Sequence, residues 1–183
     1  LVFGPADNMG TLGLTETILP LDTLLPASFT SGLTEDGLLT YDGKVYGVAD
    51  QIGNHLTFVY NRELIETPPE TLDELAALGA TLSRDTDGDG EPDTYALVWN
   101  YTEPFFFIPF LTSFGGWPMD EAGNPNLDTP ETVAAIQYVL DLRDRYNVIP
   151  RGGDYETAKA LFRDGTAAAT IDGPWSWSGY QDS

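Results

Sequence analysis

A chain of 183 residues with 8 lysines and arginines against 29 aspartates and glutamates has a formal net charge of −21. That balance argues against nucleic acid or an anionic membrane as partner, because phosphate contacts need clustered cations. With no cysteine, disulfides, thiolate metal sites and cysteine nucleophiles are excluded, while 42% hydrophobic and 12% aromatic content is ample for a packed core.

The amino end, LVFGPADNMG, has neither the basic start nor the cleavage site of a secretory signal, and no apolar run reaches the about 18 residues of a membrane span. It reads as a chain entered in mid-domain, hence as a fragment, with a buried strand at Leu1–Phe3 as its first element. Gly4-Pro5 ends that run, and Asp7 and Asn8 with Gly10 follow as a polar turn. Two short polar groups at a strand end suit hydrogen bonds to sugar hydroxyls, although on these residues alone a plain turn is the favoured account. Residues 14–39 carry scattered leucines and prolines, consistent with short helical turns. From Leu38 to Val48 a hairpin is expected around Asp42-Gly43.

Residues 52–60, IGNHLTFVY, form a second extended segment. The lone histidine, His55, reads as a strand residue rather than a base or metal ligand. Thr71 caps a scaffold helix, with Glu74 completing a capping box and Leu72, Leu75, Ala76 and Gly79 on one face.

The run RDTDGDGEPDTYAL places Asp85, Asp87 and Asp89 at positions 1, 3 and 5 of a calcium-type loop. Gly90 takes position 6, Glu91 offers its backbone carbonyl, and Asp93 stands at position 9. Clustered carboxylates repel one another unless a hard divalent cation neutralises them, so a structural calcium ion is expected, against the alternative of a solvated acidic turn. Position 12 is Ala96, where an EF-hand has a bidentate glutamate, so this is no helix-loop-helix sensor.

Tyr95–Trp99 reads as a strand, and the cluster Trp99, Asn100, Tyr101, Glu103, Pro104, Phe105 follows it. Pro104 pushes Glu103 out of helical geometry and leaves its carboxylate on a turn. A carboxylate beside aromatic rings suits a sugar: the ring covers the apolar face of a pyranose and the acid accepts from its hydroxyls. Phe106, Phe107 and Phe110 read as core. Gly115-Gly116-Trp117 ends a helix, 120–128 is an exposed loop, and Thr129-Pro130-Glu131 opens a longer helix to about Tyr146 with Val133, Ile136 and Leu140 inward. Asp154 caps a last helix whose Ala158, Leu161 and Phe162 share a face, and Gly165 stops it. A small-residue strand over 166–171 ends at Asp172-Gly173-Pro174, just before Trp175 and Trp177. Trp177 reads as core. Trp175, held at a strand's carboxyl end, reads as a wall for a small polar ligand.

The ordered set DGKVYGV, FVYN, the PP-T-DEL run, EPFF, FGG and GPW resembles the extracellular solute-binding proteins of bacterial ABC importers, in the carbohydrate-binding group typified by maltose-binding protein. The resemblance implies an α/β, two-lobed periplasmic-binding-protein-like fold of class II type. Residues 1–52 would be part of the amino-terminal lobe and 53–183 most of the carboxyl-terminal lobe. It implies ligand contacts at Asp7, Asn8, Asn54, Glu103, Phe105 and Trp175, and capture of a carbohydrate, an oligosaccharide by its aromatic walls, in an interlobe cleft by hinge closure. It further implies a membrane permease as partner, a monomer, and work outside the cell, at its surface as a lipoprotein or in the periplasm. Where the family has an acid, an indole and a tyrosine, this chain has Asn54, Gly4 and Phe105, so the sugar or its linkage is open. No catalytic residue is required. Two other readings stay open: a glycoside hydrolase with Glu103 as the acid and Asp7 or Asp172 as its partner, and a calcium-stabilised extracellular binding module.

Overall fold

The computed structural model describes residues 2–50 and 53–181, and divides into two compact units, Leu1–Asn54 and His55–Ser183. Each is described by itself.

In the first unit a 3-10 turn at Ala6–Asn8 runs into helix α1 (Met9–Leu14). A second turn at Leu21–Thr23, helix α2 (Ala27–Thr30) and a third turn at Glu35–Gly37 lead to strands β1 (Leu38–Tyr41) and β2 (Lys44–Val48). The hairpin is antiparallel and runs from Leu38 opposite Val48 to Tyr41 opposite Lys44. Its turn has φ of 47° at Asp42 and 69° at Gly43, two successive left-handed residues of the kind a two-residue hairpin demands. The Asp22 carboxylate accepts the Val45 amide at 2.9 Å and ties the second turn to the hairpin.

The strand expected at the amino end is not formed by the described residues: Val2 and Phe3 are 66% and 86% exposed and lie outside any strand, and Leu1 lies outside the described residues. Among the described residues the hairpin strands pair only with each other, and Val2 and Phe3 join no ladder. Gly13 and Gly37 are the only fully buried residues described in this unit. A segment of about fifty residues with so small an interior has little hydrophobic support of its own.

The second unit is built on strands β3 (Thr57–Tyr60), β4 (Val98–Trp99) and β5 (Ala169–Asp172), in the order β3-β5-β4. Central β5 pairs antiparallel with β3, Thr57 opposite Asp172, and parallel with β4, Trp99 opposite Ile171. Both β4 and β5 are shorter than their apolar runs: Tyr95 and Ala167 meet only in an isolated parallel bridge ahead of the ladder. His55 lies just before β3 rather than in it. Helices α3 (Leu72–Leu82), α4 (Ile108–Ser113), α5 (Pro130–Asp144), α6 (Tyr155–Arg163) and α7 (Trp177–Gln181) complete the unit, with a 3-10 turn at Pro104–Phe107 before α4.

Leu97, Trp99, Ala169 and Ile171 pack with Phe106, Phe110, Leu142 and Val148 in the main core, while Val98 and Ala167 pack with Ala158, Leu161 and Phe162 of α6. The helix starts follow their caps. Thr71 accepts the Glu74 amide, Thr129 accepts from Thr132, and Asp154 accepts from Thr157. The Glu74 carboxylate reaches back one residue further than a capping box, to the Glu70 amide at 2.7 Å. Gly165, with φ of 79°, ends α6. No helix among the described residues is long and apolar enough to cross a membrane.

Helix α5 turns the opposite way from its sequence expectation. Thr132, Ala135 and Leu142 are buried, whereas Val133, Ile136 and Leu140 are 67%, 47% and 37% exposed. The helix carries two apolar stripes, and close approach selects the one with small residues. On that side the Tyr138 hydroxyl also donates to the Leu72 carbonyl at 2.5 Å and its ring meets Phe110 and Phe114. Burial and nearby Asp73 push the Tyr138 hydroxyl's pKa well up, so it stays a donor. We expect Val133→Ser to change stability by less than about 0.5 kcal/mol and Ala135→Leu to cost about 1–3 kcal/mol. Both are read from the urea midpoint at constant slope; the reverse ranking would mean that the other stripe faces inward.

Candidate functional site

Strand β5 ends in a buried carboxylate. Asp172 is 3% exposed; Oδ1 accepts the Gly173 amide at 2.8 Å and Oδ2 accepts the Tyr180 hydroxyl from α7. Burial, and then the adjoining carboxylate, raise the Tyr180 pKa well above its ordinary value, with Ser176 pulling the other way. Both oxygens of Asp172 are therefore engaged inside the fold.

Pro174 then turns the chain, and the Trp175 indole lies back over Gly173. A Cβ there would come within 2.1 Å of the ring, so only glycine permits this approach. Trp175 remains 45% exposed. Its Nε1–H donates to the Tyr155 hydroxyl at 3.0 Å, and that hydroxyl bonds the buried Ser176 hydroxyl at 2.7 Å. The Phe105 ring stands 6.4 Å from the indole, centre to centre.

Phe105 belongs to the turn that Glu103 opens. Glu103 has extended backbone (φ −105°, ψ 126°) as expected ahead of Pro104, and it is exposed. Its Oε2 accepts from Asn100 Nδ2 at 2.9 Å, and Asn100 Oδ1 in turn accepts from Thr102 at 2.8 Å. Asn100 is 6% exposed, so its amide is a fixed strut for the acid. Glu103, Phe105 and Trp175 thus form one open surface: an acceptor, a ring and a second ring with a polar edge. Concavities of about 660 Å³, bordered by Ala76, Ser83, Asp85 and Arg145, and about 170 Å³, bordered by Phe107, Ile136 and Ile149, lie elsewhere in this unit. They lack the acid beside paired aromatic rings that the exposed wall presents.

Asp7, Asn8 and Asn54 belong to the first unit and are exposed. Asp7 and Asn8 sit in a 3-10 turn at the start of α1 rather than in a turn closing a strand. Trp177 is not core: it is 41% exposed, bonds Thr57 Oγ1 through Nε1 at 3.3 Å and meets His55 edge-on at 5.7 Å. It is the first residue of α7, and its ring lies against the start of the β3 segment. Sequence reasoning had Asn100 in this cluster without a role, and passed over Tyr155 and Ser176.

In the acidic loop, carboxylate oxygens of Asp85, Asp87 and Asp89 lie within 4.8 Å of one another. Asp85 also accepts the Gly88 and Gly90 amides at 2.6 and 2.9 Å. Glu91 pairs with Arg151 at 3.1 Å. Asp93 Oδ2 accepts from both the amide and the hydroxyl of Thr86, which holds its carboxyl below the usual range.

Comparison with known proteins places the chain in a family. The maltose/maltodextrin-binding domain MalE from Bdellovibrio bacteriovorus, solved with maltotriose bound, is 43% identical and matches with a TM-score of 0.90 over 98% of this chain and 47% of that one. The Thermus thermophilus maltotriose-binding protein, also solved with maltotriose, is 25% identical with a TM-score of 0.76, over 97% of this chain and 48% of its own. Among curated proteins, the maltodextrin-binding protein MdxE of Bacillus subtilis is 28% identical over 97% of this chain and 43% of the relative. The chain therefore spans less than half the length of these relatives. The structural matches bear out the expected class, an α/β chain forming part of a two-lobed periplasmic-binding-protein-like fold. The family model described as bacterial extracellular solute-binding protein matches residues 1–183 from end to end, and the chain belongs to that family.

Proposed function

We propose that this chain is part of the substrate-binding component of an ABC importer and that its ligand is a maltodextrin-type oligosaccharide. The observation that carries the reading is the juxtaposition of Phe105 and Trp175, 6.4 Å apart, beside the turn that presents Glu103. Aromatic faces cover the apolar side of a glucose ring, and a carboxylate braced by Asn100 accepts from its hydroxyls. Relatives described as binding maltodextrin or maltotriose support this ligand class. A Streptococcus pneumoniae relative, 27% identical over 100% of this chain, is described as a maltooligosaccharide ABC transporter solute-binding lipoprotein, which supports a permease partner and a site of action outside the cytoplasmic membrane. Asp7 and Asn8 are the contacts assigned to the amino-terminal lobe, and Asn54 the one assigned near the crossover between lobes. The protein acts as a monomer whose ligand shifts an open-to-closed equilibrium, by as much as its affinity differs between the two forms. A hydrolase pairing of Glu103 with Asp172 is disfavoured, because Asp172 is buried and both its oxygens accept hydrogen bonds inside the fold.

The test is calorimetry on the complete protein that contains this chain, against maltotriose and against xylan and mannan oligosaccharides. Maltotriose should bind without release of smaller sugars, and Trp175→Ala or Glu103→Ala should weaken it by at least about tenfold, the loss of a stacked ring or a charged acceptor. No heat from maltotriose, in a folded protein, would refute the ligand class.

We also propose structural calcium in the 85–93 loop, held by Asp85, Asp87 and Asp89, with Glu91 through its backbone carbonyl and Asp93 through its second oxygen or water. The donor set suits a hard cation, and φ of 82° at Gly88 and 96° at Gly90 curl the chain around it. The lowered Asp93 pKa adds stability above the unfolded value that is lost as pH falls through the folded one. Calcium in excess over its dissociation constant should raise Tm relative to chelator near neutral pH. The gain should shrink in Asp87→Asn and on acidification; equal Tm values with calcium and chelator would refute the ion.

A further inference from the structure

We infer that Tyr155 is a positioning residue for the ligand wall: its hydroxyl accepts the indole N–H and fixes the plane that Trp175 presents. The inference rests on the reading of Trp175 as a stacking surface. An indole nitrogen only donates, so in the 3.0 Å contact the tyrosine oxygen is the acceptor. The same oxygen bonds the Ser176 hydroxyl at 2.7 Å, and Ser176 is 4% exposed. Behind Ser176, Tyr180 donates to Asp172, which is buried at the end of β5. The wall is thus anchored through side chains to α6, to α7 and to the central strand.

An indole 45% exposed with nothing at its nitrogen would sample several rotamers, and a ligand stacking on it would have to stop that motion. Gly173 takes away the backbone obstacle to the observed pose, and Tyr155 supplies the bond that selects it. The Tyr155 ring is held independently: it opens α6 behind the Asp154 cap and lies 6.3 Å from the Phe106 ring. Tyr155→Phe therefore removes the acceptor and keeps the packing.

The test uses the complete protein with Tyr155→Phe, Trp175→Phe and the pair. Trp175→Phe keeps an aromatic face and loses the N–H. If Tyr155 acts through that N–H, each single change weakens maltotriose binding by about 5- to 10-fold, and the double change is no worse than Trp175→Phe alone, within about twofold. Penalties that multiply would overturn the inference and assign the Tyr155 hydroxyl a contact of its own. A second readout needs no sugar: the Trp175 indole N–H resonance, identified by its loss in Trp175→Phe, should move upfield and exchange faster with water in Tyr155→Phe. An unmoved resonance would overturn the inference whatever the ligand. A resonance that moves in a protein that binds no maltodextrin would refute the proposed ligand and leave the positioning bond standing.

Discussion

Strand β5 has neighbours on both hydrogen-bonding edges and core on both faces, and the rest of the second unit is arranged to meet that constraint. All four of its residues are buried, so each backbone amide and carbonyl has to find a partner inside the protein. Strand β3 supplies one edge and β4 the other, in opposite senses. The alanines at 167–169 keep the approach to the strand thin, which lets α6 settle against one side while Trp99 and Phe110 stack at 4.9 Å in the main core. A strand so confined ends at a fixed point. Its last residue, Asp172, and the groups that follow it through Trp175 inherit that rigidity.

Backbone amides take up part of the acidic charge. Many carboxylates accept backbone amides: Asp154 and Thr157, Asp120 with Ala122 and Asn124, Asp85 with Gly88 and Gly90. Such bonds favour the ionised form and lower the pKa, as for Asp154; at Asp120 the Asn124 side-chain amide does most of this and the Asn124 backbone amide adds to it, so charge is put to use in shaping turns. The scarce arginines act in common. Arg151 reaches both Glu91 and Asp144, and Arg143 also holds Asp144. The result is a surface that repels polyanions while its loops stay defined.

Local chemistry was legible in the sequence and long-range choice was not. The Asp42-Gly43 hairpin, the three helix caps and the extended Glu103 are set by neighbouring residues, and the fold has them as read. The face of α5 was not legible, because two apolar stripes compete and the winner depends on how closely small residues let α3 and α4 approach. Trp177 was misplaced for a related reason: an aromatic's burial depends on whether a second layer covers it. Tyr155 was legible in principle. A helix of 9 residues and a returning strand of 4 have nearly equal lengths, about 13 Å each, so the start of α6 comes back beside the end of β5.

The acidic loop leaves and rejoins the fold at nearly one point. Arg84 and Thr94 face each other in an antiparallel bridge, and the Asp93 and Thr94 amides both return to the Arg84 carbonyl, at 2.7 and 3.2 Å. Residues 85–93 are exposed or nearly so, and past that junction Glu91 ties them to the exposed Arg151. The segment is in effect a detachable module: replaced by a two-residue turn, or by a reporter domain with adjacent termini, it would leave the aromatic wall with the same scaffold beneath it.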